Sequence, residues 1–131
     1  MERLYFDGDC GFCHGWVRWI VRREPPGGCF RYAPLGGPTF ETRVPPGRRS
    51  GMTRTFVVET EDGRFLVRSD AVLHVLRRLG RRRTAGALAL VPRLLRDLGY
   101  RFTALVRRLL GVRPKDACPV ADPGLRARFD P

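Results

Sequence analysis

The sequence is nearly without lysine. Lys115 is the only one, so arginine carries almost all of the net charge of +12. A charge of that size admits a nucleic-acid or anionic-surface partner. The arginines are nevertheless spread along the chain, with short clusters at Arg81-Arg82-Arg83 and Arg107-Arg108. Abundant Arg, Gly, Pro and Ala beside so little Lys reads as the amino-acid bias of a GC-rich genome rather than a dedicated polyanion site. Weak, nonspecific polyanion binding is the expectation. No apolar run approaches the roughly 18 residues of a membrane span. Met1-Glu2-Arg3 leads straight into an apolar stretch, with no basic region followed by a hydrophobic one. A signal peptide is therefore not expected, and the cytoplasm is the expected compartment.

Cysteine is also scarce, with four in the chain, and there is neither a second Cys-x-x-Cys nor a His-x-x-x-His pair. A structural zinc site thus has no strong signature. In a reducing compartment such cysteines suit catalysis, metal binding or free thiols better than a disulfide framework. The length of 131 residues fits one domain, expected over residues 1–131. Nothing in the sequence fixes the oligomeric state.

What the chain does contain is Leu4-Tyr5-Phe6-Asp7-Gly8-Asp9-Cys10-Gly11-Phe12-Cys13. Leu4 to Phe6 form an apolar run too short for a helix before Gly8 breaks it, so they read as a buried strand. Cys13, Trp16, Val17, Ile20 and Val21 then recur at helical spacing, which predicts an amphipathic helix with His14, Arg18 and Arg22 on its outer face. Cys10 falls at the helix start, accessible, and Cys13 begins the buried stripe one turn later. A helix N-terminus offers unpaired N–H groups and partial positive charge, which stabilise a thiolate. A Cys-x-x-Cys there supplies an attacking and a resolving thiol. Asp7 and Asp9 either oppose thiolate formation by their charge or accept a proton during exchange. The relay role is assigned to Asp7 and a turn or capping role to Asp9.

Pro25-Pro26-Gly27-Gly28 ends the first helix. Cys29 to Ala33 alternates as a second strand. Residues 34–52 are rich in Pro and Gly, and only Thr39 to Arg43 suggests a helical turn, so a loose segment with few apolar anchors is expected. Residues 53–60 read as a third strand, Glu61-Asp62-Gly63 as a hairpin turn and residues 64–67 as a fourth strand. Ser69 is placed to cap a helix with the stripe Val72, Val75, Leu76 and Leu79, which Gly80 ends. His74 falls opposite that stripe, as a surface residue. A short apolar helix over residues 85–91 follows, ended or restarted by Pro92. Gly99 interrupts or bends the path. Phe102, Leu105, Val106, Leu109 and Leu110 then form a stripe expected to cover apolar surface. Residues 112–131 lack periodicity and read as an irregular tail.

Several of these stretches together resemble the DCC family of thiol-disulfide oxidoreductases. Asp7-Gly8-Asp9-Cys10-Gly11-Phe12-Cys13 is similar to its Asp-x-x-Cys-x-x-Cys opening, and Arg68-Ser69-Asp70-Ala71 to its Ser-x-Ala segment. Arg96-Asp97 with Tyr100, and Gly111 with Cys118 and Pro119, resemble its C-terminal half. The resemblance implies an α/β, thioredoxin-like mixed sheet of about four strands with additional C-terminal helices. It implies a redox-active cysteine pair, thiol or disulfide substrates and no organic cofactor. The chain departs from the thioredoxin pattern twice. The helix between the second and third strands is nearly absent, replaced by residues 34–52, and the place of the cis-proline facing the cysteines is Met52-Thr53. The competing reading is a metal- or nucleic-acid-binding module, with Cys10 and Cys13 joined at zinc by His14, Cys29 or Cys118. A third is a non-enzymatic interaction protein using the basic amphipathic helices of residues 85–110 against an acidic partner or membrane surface.

Overall fold

A computed structural model of the chain describes residues 1–109 and 123–131. Four strands form one mixed sheet: β1 (Glu2–Phe6), β2 (Phe30–Pro34), β3 (Val57–Glu59) and β4 (Phe65–Val67), in the order β2-β1-β3-β4. β1 and β2 run parallel, with Glu2 opposite Phe30 and Phe6 opposite Pro34. β3 is antiparallel to both β1 and β4. The parallel pair requires a crossover, and α1 (Gly11–Val21) makes it. The antiparallel pair needs only a turn. Gly63 takes φ +76° there, and its N–H donates to Thr60 O at 2.9 Å. This is the α/β arrangement of the thioredoxin-like fold.

β1 is central and covered on both faces, so alternate residues enter different cores. On one face Leu4, Phe6, Phe30, Tyr32 and Val58 meet Val17 and Ile20 of α1, together with Ala71 and Val75 of α4 (Arg68–Arg78). On the other, Tyr5, Ala33 and Val57 meet Phe40, Val44 and Met52. Residues 34–52 therefore do not lack apolar anchors. They supply the second cover of the sheet through Phe40 of α2 (Pro38–Arg43), Val44 that follows it and Met52, while α3 (Pro46–Arg49) buries no residue; each helix has a proline in its first turn. The helical turn read at Thr39 to Arg43 is the core of α2. Leu35 of the same segment packs against the cluster of Phe40, Val44 and Met52.

Beyond α4, Gly80 at φ +75° turns the chain into α5 (Arg82–Ala89), whose Ala85 packs with Leu73 and Leu76. α6 (Arg93–Leu109) follows Pro92 and runs unbroken through Gly99. The irregular stretch contains α7 (Pro123–Arg126), after which Phe129 stacks on Tyr32 with ring centres 5.0 Å apart and bridges to it as a parallel β-partner. Asp130 closes this edge. It accepts from Arg3 Nε at 2.9 Å and pairs with Arg31.

Three other expectations change here. Ser69 is not the cap of α4; it lies in the first turn, buried, and donates to Asp97 Oδ1 of α6 at 2.6 Å. The stripe read at Phe102 to Leu110 does not cover the sheet: Phe102, Leu105 and Leu109 are exposed, as are Leu94 and Leu98 earlier in α6, Val106 is half-buried, and Leu110 lies outside the described residues. His74 is not a free surface side chain either, since its Nε2 lies 2.9 Å from the buried carboxylate of Glu2, which also pairs with Arg78 at 3.2 Å.

Candidate functional site

The end of β1, a three-residue turn and the start of α1 form one hydrogen-bonded unit. Asp7 O accepts the N–H of Cys10 at 3.2 Å, and Asp7 Oδ1 accepts the N–H of Asp9 at 3.1 Å. The side chain that makes the turn is therefore Asp7 rather than Asp9. Cys10 has extended backbone angles, φ −105° and ψ 111°, and is the N-cap residue of α1. Its Sγ accepts the N–H of Cys13 at 3.3 Å, in the position where an N-cap oxygen usually stands. The Cys10 sulfur thus fills the place of a cap and satisfies a helix N–H that the helix itself leaves without a partner.

His14 does not project outward with Arg18 and Arg22. Its Nε2 donates to Gly8 O at 2.7 Å, and its ring meets Phe6 edge-on with centres 5.4 Å apart. Its Nδ1 is buried, with no hydrogen-bond partner among the described residues. The imidazole thus braces the turn on which Cys10 stands. A signal existed in the sequence: His14 lies one helical turn beyond Cys10. Its neighbours at i+4 and i+8 are arginines, which favoured the outward reading.

Both thiols are nearly closed off, with Cys10 7% and Cys13 8% exposed. The expected contrast between an accessible Cys10 and a buried Cys13 is absent. Cys13 instead lines an apolar cleft of about 180 Å³, with Phe12, Trp16, Phe56, Tyr100 and Ala104 among its walls. Trp16 stacks on Trp19 at 4.9 Å and meets Phe56 edge-on at 6.4 Å. Phe56 is fixed at both ends of its backbone. Its N–H donates to Tyr100 Oη at 3.0 Å, and its carbonyl accepts the N–H of Arg68 at 3.1 Å. The segment leading into β3 beside this cleft is therefore Thr55-Phe56. Met52, expected there, packs on the opposite face of the sheet. Among the described residues no peptide bond is cis.

Asp7 and Asp9 face a different opening, lined by Glu41, Arg49, Thr53 and Arg54 as well as by Leu35, Phe40 and Met52. The cysteine pair lies between the apolar cleft and the turn that borders this mixed one. Cys29 takes no part. It precedes β2 at the end next to Glu2, one strand length from Cys10, about 16 Å for five residues. Burial and then the Glu24 carboxylate push its thiol up to about 11. Among the described residues no three His, Cys, Asp or Glu side chains are grouped to hold a metal ion. Cys118, the other cysteine named for zinc, lies outside the described residues, as do Gly111 and Pro119.

The remaining residues that carried the family resemblance meet in space. Ser69 donates to Asp97, Asp70 pairs with Arg93 at 3.1 Å and with Arg96 at 3.7 Å, and Tyr100 holds Phe56. They fasten α6 over α4 and so build the wall of the apolar cleft. The profile of the DCC1-like thiol-disulfide oxidoreductase family matches residues 4–113. The chain belongs to this family. The DCC1-like chain is also similar to the uncharacterized protein YuxK of Bacillus subtilis (strain 168), at 33% identity over 132 residues, covering 98% of this chain and 93% of that protein. No solved structure matches it. Among the described residues of this DCC1-like protein, no helix is long and apolar enough to cross a membrane.

Proposed function

We infer that the protein exchanges thiols for disulfides through Cys10 and Cys13, as a single domain in a reducing compartment such as the cytoplasm. The observation that carries this reading is the 3.3 Å hydrogen bond from the Cys13 N–H to Cys10 Sγ at the N-cap of α1. The Cys10 thiolate attacks one sulfur of a substrate disulfide. A Cys10–substrate bond forms, the substrate S–S bond breaks, and the other half leaves as a thiolate. Cys13, deprotonated, then attacks Cys10 Sγ and releases the second half as a thiolate. Two electrons pass from the dithiol to the substrate, and an external dithiol or thiol pair restores the enzyme. The same steps run backwards when a substrate dithiol is oxidised.

The apolar cleft beside Cys13 favours a disulfide flanked by apolar groups, because burying them against Phe12, Trp16 and Phe56 offsets the cost of entering a closed site. Asp7 holds the turn, and the exposed Asp9 places a carboxylate next to Cys10 in sequence.

The test is trapping. Cys13→Ser should stall the reaction at the mixed disulfide on Cys10 with oxidised glutathione or an aromatic disulfide, seen as an adduct by intact mass. Cys10→Ser should give no adduct. If neither folded variant forms a mixed disulfide, the assignment fails.

A further inference from the structure

α6 is turned inside out. Arg96, Asp97 and Tyr100 of this helix face the protein: Arg96 and Tyr100 lie one turn apart toward α4 and β3, and Asp97 beside them accepts from Ser69. Its apolar residues face away. Leu94, Leu98, Phe102, Leu105 and Leu109 fall at i, i+4, i+8, i+11 and i+15, on one side of the helix. They are 83%, 62%, 67%, 51% and 77% exposed, and Leu90 at the end of α5 extends them at 86%. Between Leu94 and Leu109 the stripe is about 22 Å long. A surface of this kind on a folded protein marks an interaction site.

The charge around it selects the partner. Residues 82–109 contain seven arginines and a single acidic residue, Asp97. Asp97 is already engaged with Ser69 and, at 4.0 Å, with Arg93. Arg101 and Arg108 are exposed and border the stripe along one edge. A second copy of the chain would bring another net +12 against this face. An anionic surface would meet complementary charge, and one with an apolar interior would take the leucines and Phe102 as well.

We propose that α6 docks the protein onto anionic phospholipid bilayers, lying in the plane of the interface with Leu94, Leu98, Phe102, Leu105 and Leu109 among the acyl chains and Arg101 and Arg108 at the phosphates. Thr103 and Ala104 of the same helix line the apolar cleft beside Cys13. Docking through α6 therefore brings that cleft to the membrane surface. The proposal does not depend on the thiol chemistry, since binding is read without turnover.

The experiment is co-sedimentation of the full chain with vesicles of phosphatidylcholine alone, and of phosphatidylcholine with about one third phosphatidylglycerol. The wild type should pellet with the mixed vesicles and not with the neutral ones, and less at high salt. The double variant Leu98→Glu/Phe102→Glu should bind at least about tenfold more weakly, because it puts charge where acyl chains must pack. Those two side chains are exposed, so the variant should keep the wild-type circular dichroism spectrum and melting temperature. Arg101→Glu/Arg108→Glu should lose the preference for anionic lipid while keeping the fold. Equal binding to neutral vesicles, no binding to either, or unchanged binding by the leucine–phenylalanine variant would each overturn the proposal. So would a concentration-dependent dimer that this variant dissociates and that does not bind vesicles. That result would assign the face to a second copy.

Discussion

Tyr100 Oη accepts the N–H of Phe56 at 3.0 Å across 44 positions of sequence, and lies 3.1 Å from Thr55 Oγ1. One phenol thus ties α6 to the segment entering β3, next to Cys13. The contact joins the helix whose apolar face is exposed to the wall of the cleft where a substrate disulfide is proposed to enter.

Tyr100→Phe should test that tie directly. The Phe56 N–H would be left in a closed environment without its acceptor, at a cost of about 1–3 kcal/mol. Urea unfolding should show this loss. The rate of disulfide exchange should fall further than the stability alone explains, since the ring of Phe56 would no longer be fixed beside Cys13. An unchanged midpoint and rate would mean the bond is not maintained in solution.

The Ser69–Asp97 bond at 2.6 Å should couple α4 to α6. A double-mutant cycle with Ser69→Ala and Asp97→Asn, read by urea unfolding, should give a coupling energy of about 1–2 kcal/mol. Additivity within error would show that the two helices are docked by other contacts.

Phe40→Ala probes the second cover of the sheet. Phe40 is buried and meets the ring of Tyr5 edge-on at 5.3 Å. Truncation should cost about 3–5 kcal/mol, as for other core phenylalanines. Proteolysis should then start at Arg43, Arg48 or Arg49, which resist in the wild type. Early wild-type cuts there would restore the reading of residues 34–52 as a loose loop.

Acid should weaken the fold through Glu59 and Asp130. Burial works to raise the Glu59 pKa, but hydrogen bonds from Arg43 and Tyr5, with the Arg43 and Arg3 charges, hold it below the ordinary carboxylate value. Hydrogen bonds from Arg31 and Arg3, against an opposing effect of burial, do the same for Asp130. A carboxylate with a lower pKa folded than unfolded contributes stability that is complete above the unfolded value, near 4, and is lost as pH falls through the folded value. Unfolding free energy should therefore be flat above about pH 5 and fall below about pH 4. Asp130→Asn should be less stable at neutral pH and should fall less steeply in acid. Parallel curves for the variant and the wild type would contradict this.

The cysteines should separate by reactivity. With its thiol near 11, Cys29 should alkylate slowly in the folded protein at pH 8, and Cys29→Ser should leave exchange unchanged. Labelling of Cys29 ahead of Cys10, followed by mass spectrometry, would contradict the proposed roles.

What the sequence determined by itself is what short-range pattern encodes. Cys13, Val17 and Ile20 at helical spacing, Gly8 after Phe6, Gly63 in the hairpin and Gly80 after the stripe of α4 placed the strands, α1 and α4 within a few residues, and set Cys10 at a helix start. Tertiary structure decided which surfaces these elements share. Phe40, Val44 and Met52 look like isolated residues in a Pro- and Gly-rich stretch until Tyr5, Ala33 and Val57 require a partner on their side of the sheet. His14 looks like an outer-face residue until the turn at Gly8 folds back within 2.7 Å of it. The periodicity of α6 announces an apolar face but not its direction. That direction goes with the hydrogen bonds from Ser69 to Asp97 and from Phe56 to Tyr100 and the ion pair of Asp70 with Arg96, which hold one side of α6 against the protein and leave the leucines outside. Contacts of this kind join residues 28 and 44 positions apart, so no local spacing shows which face they hold.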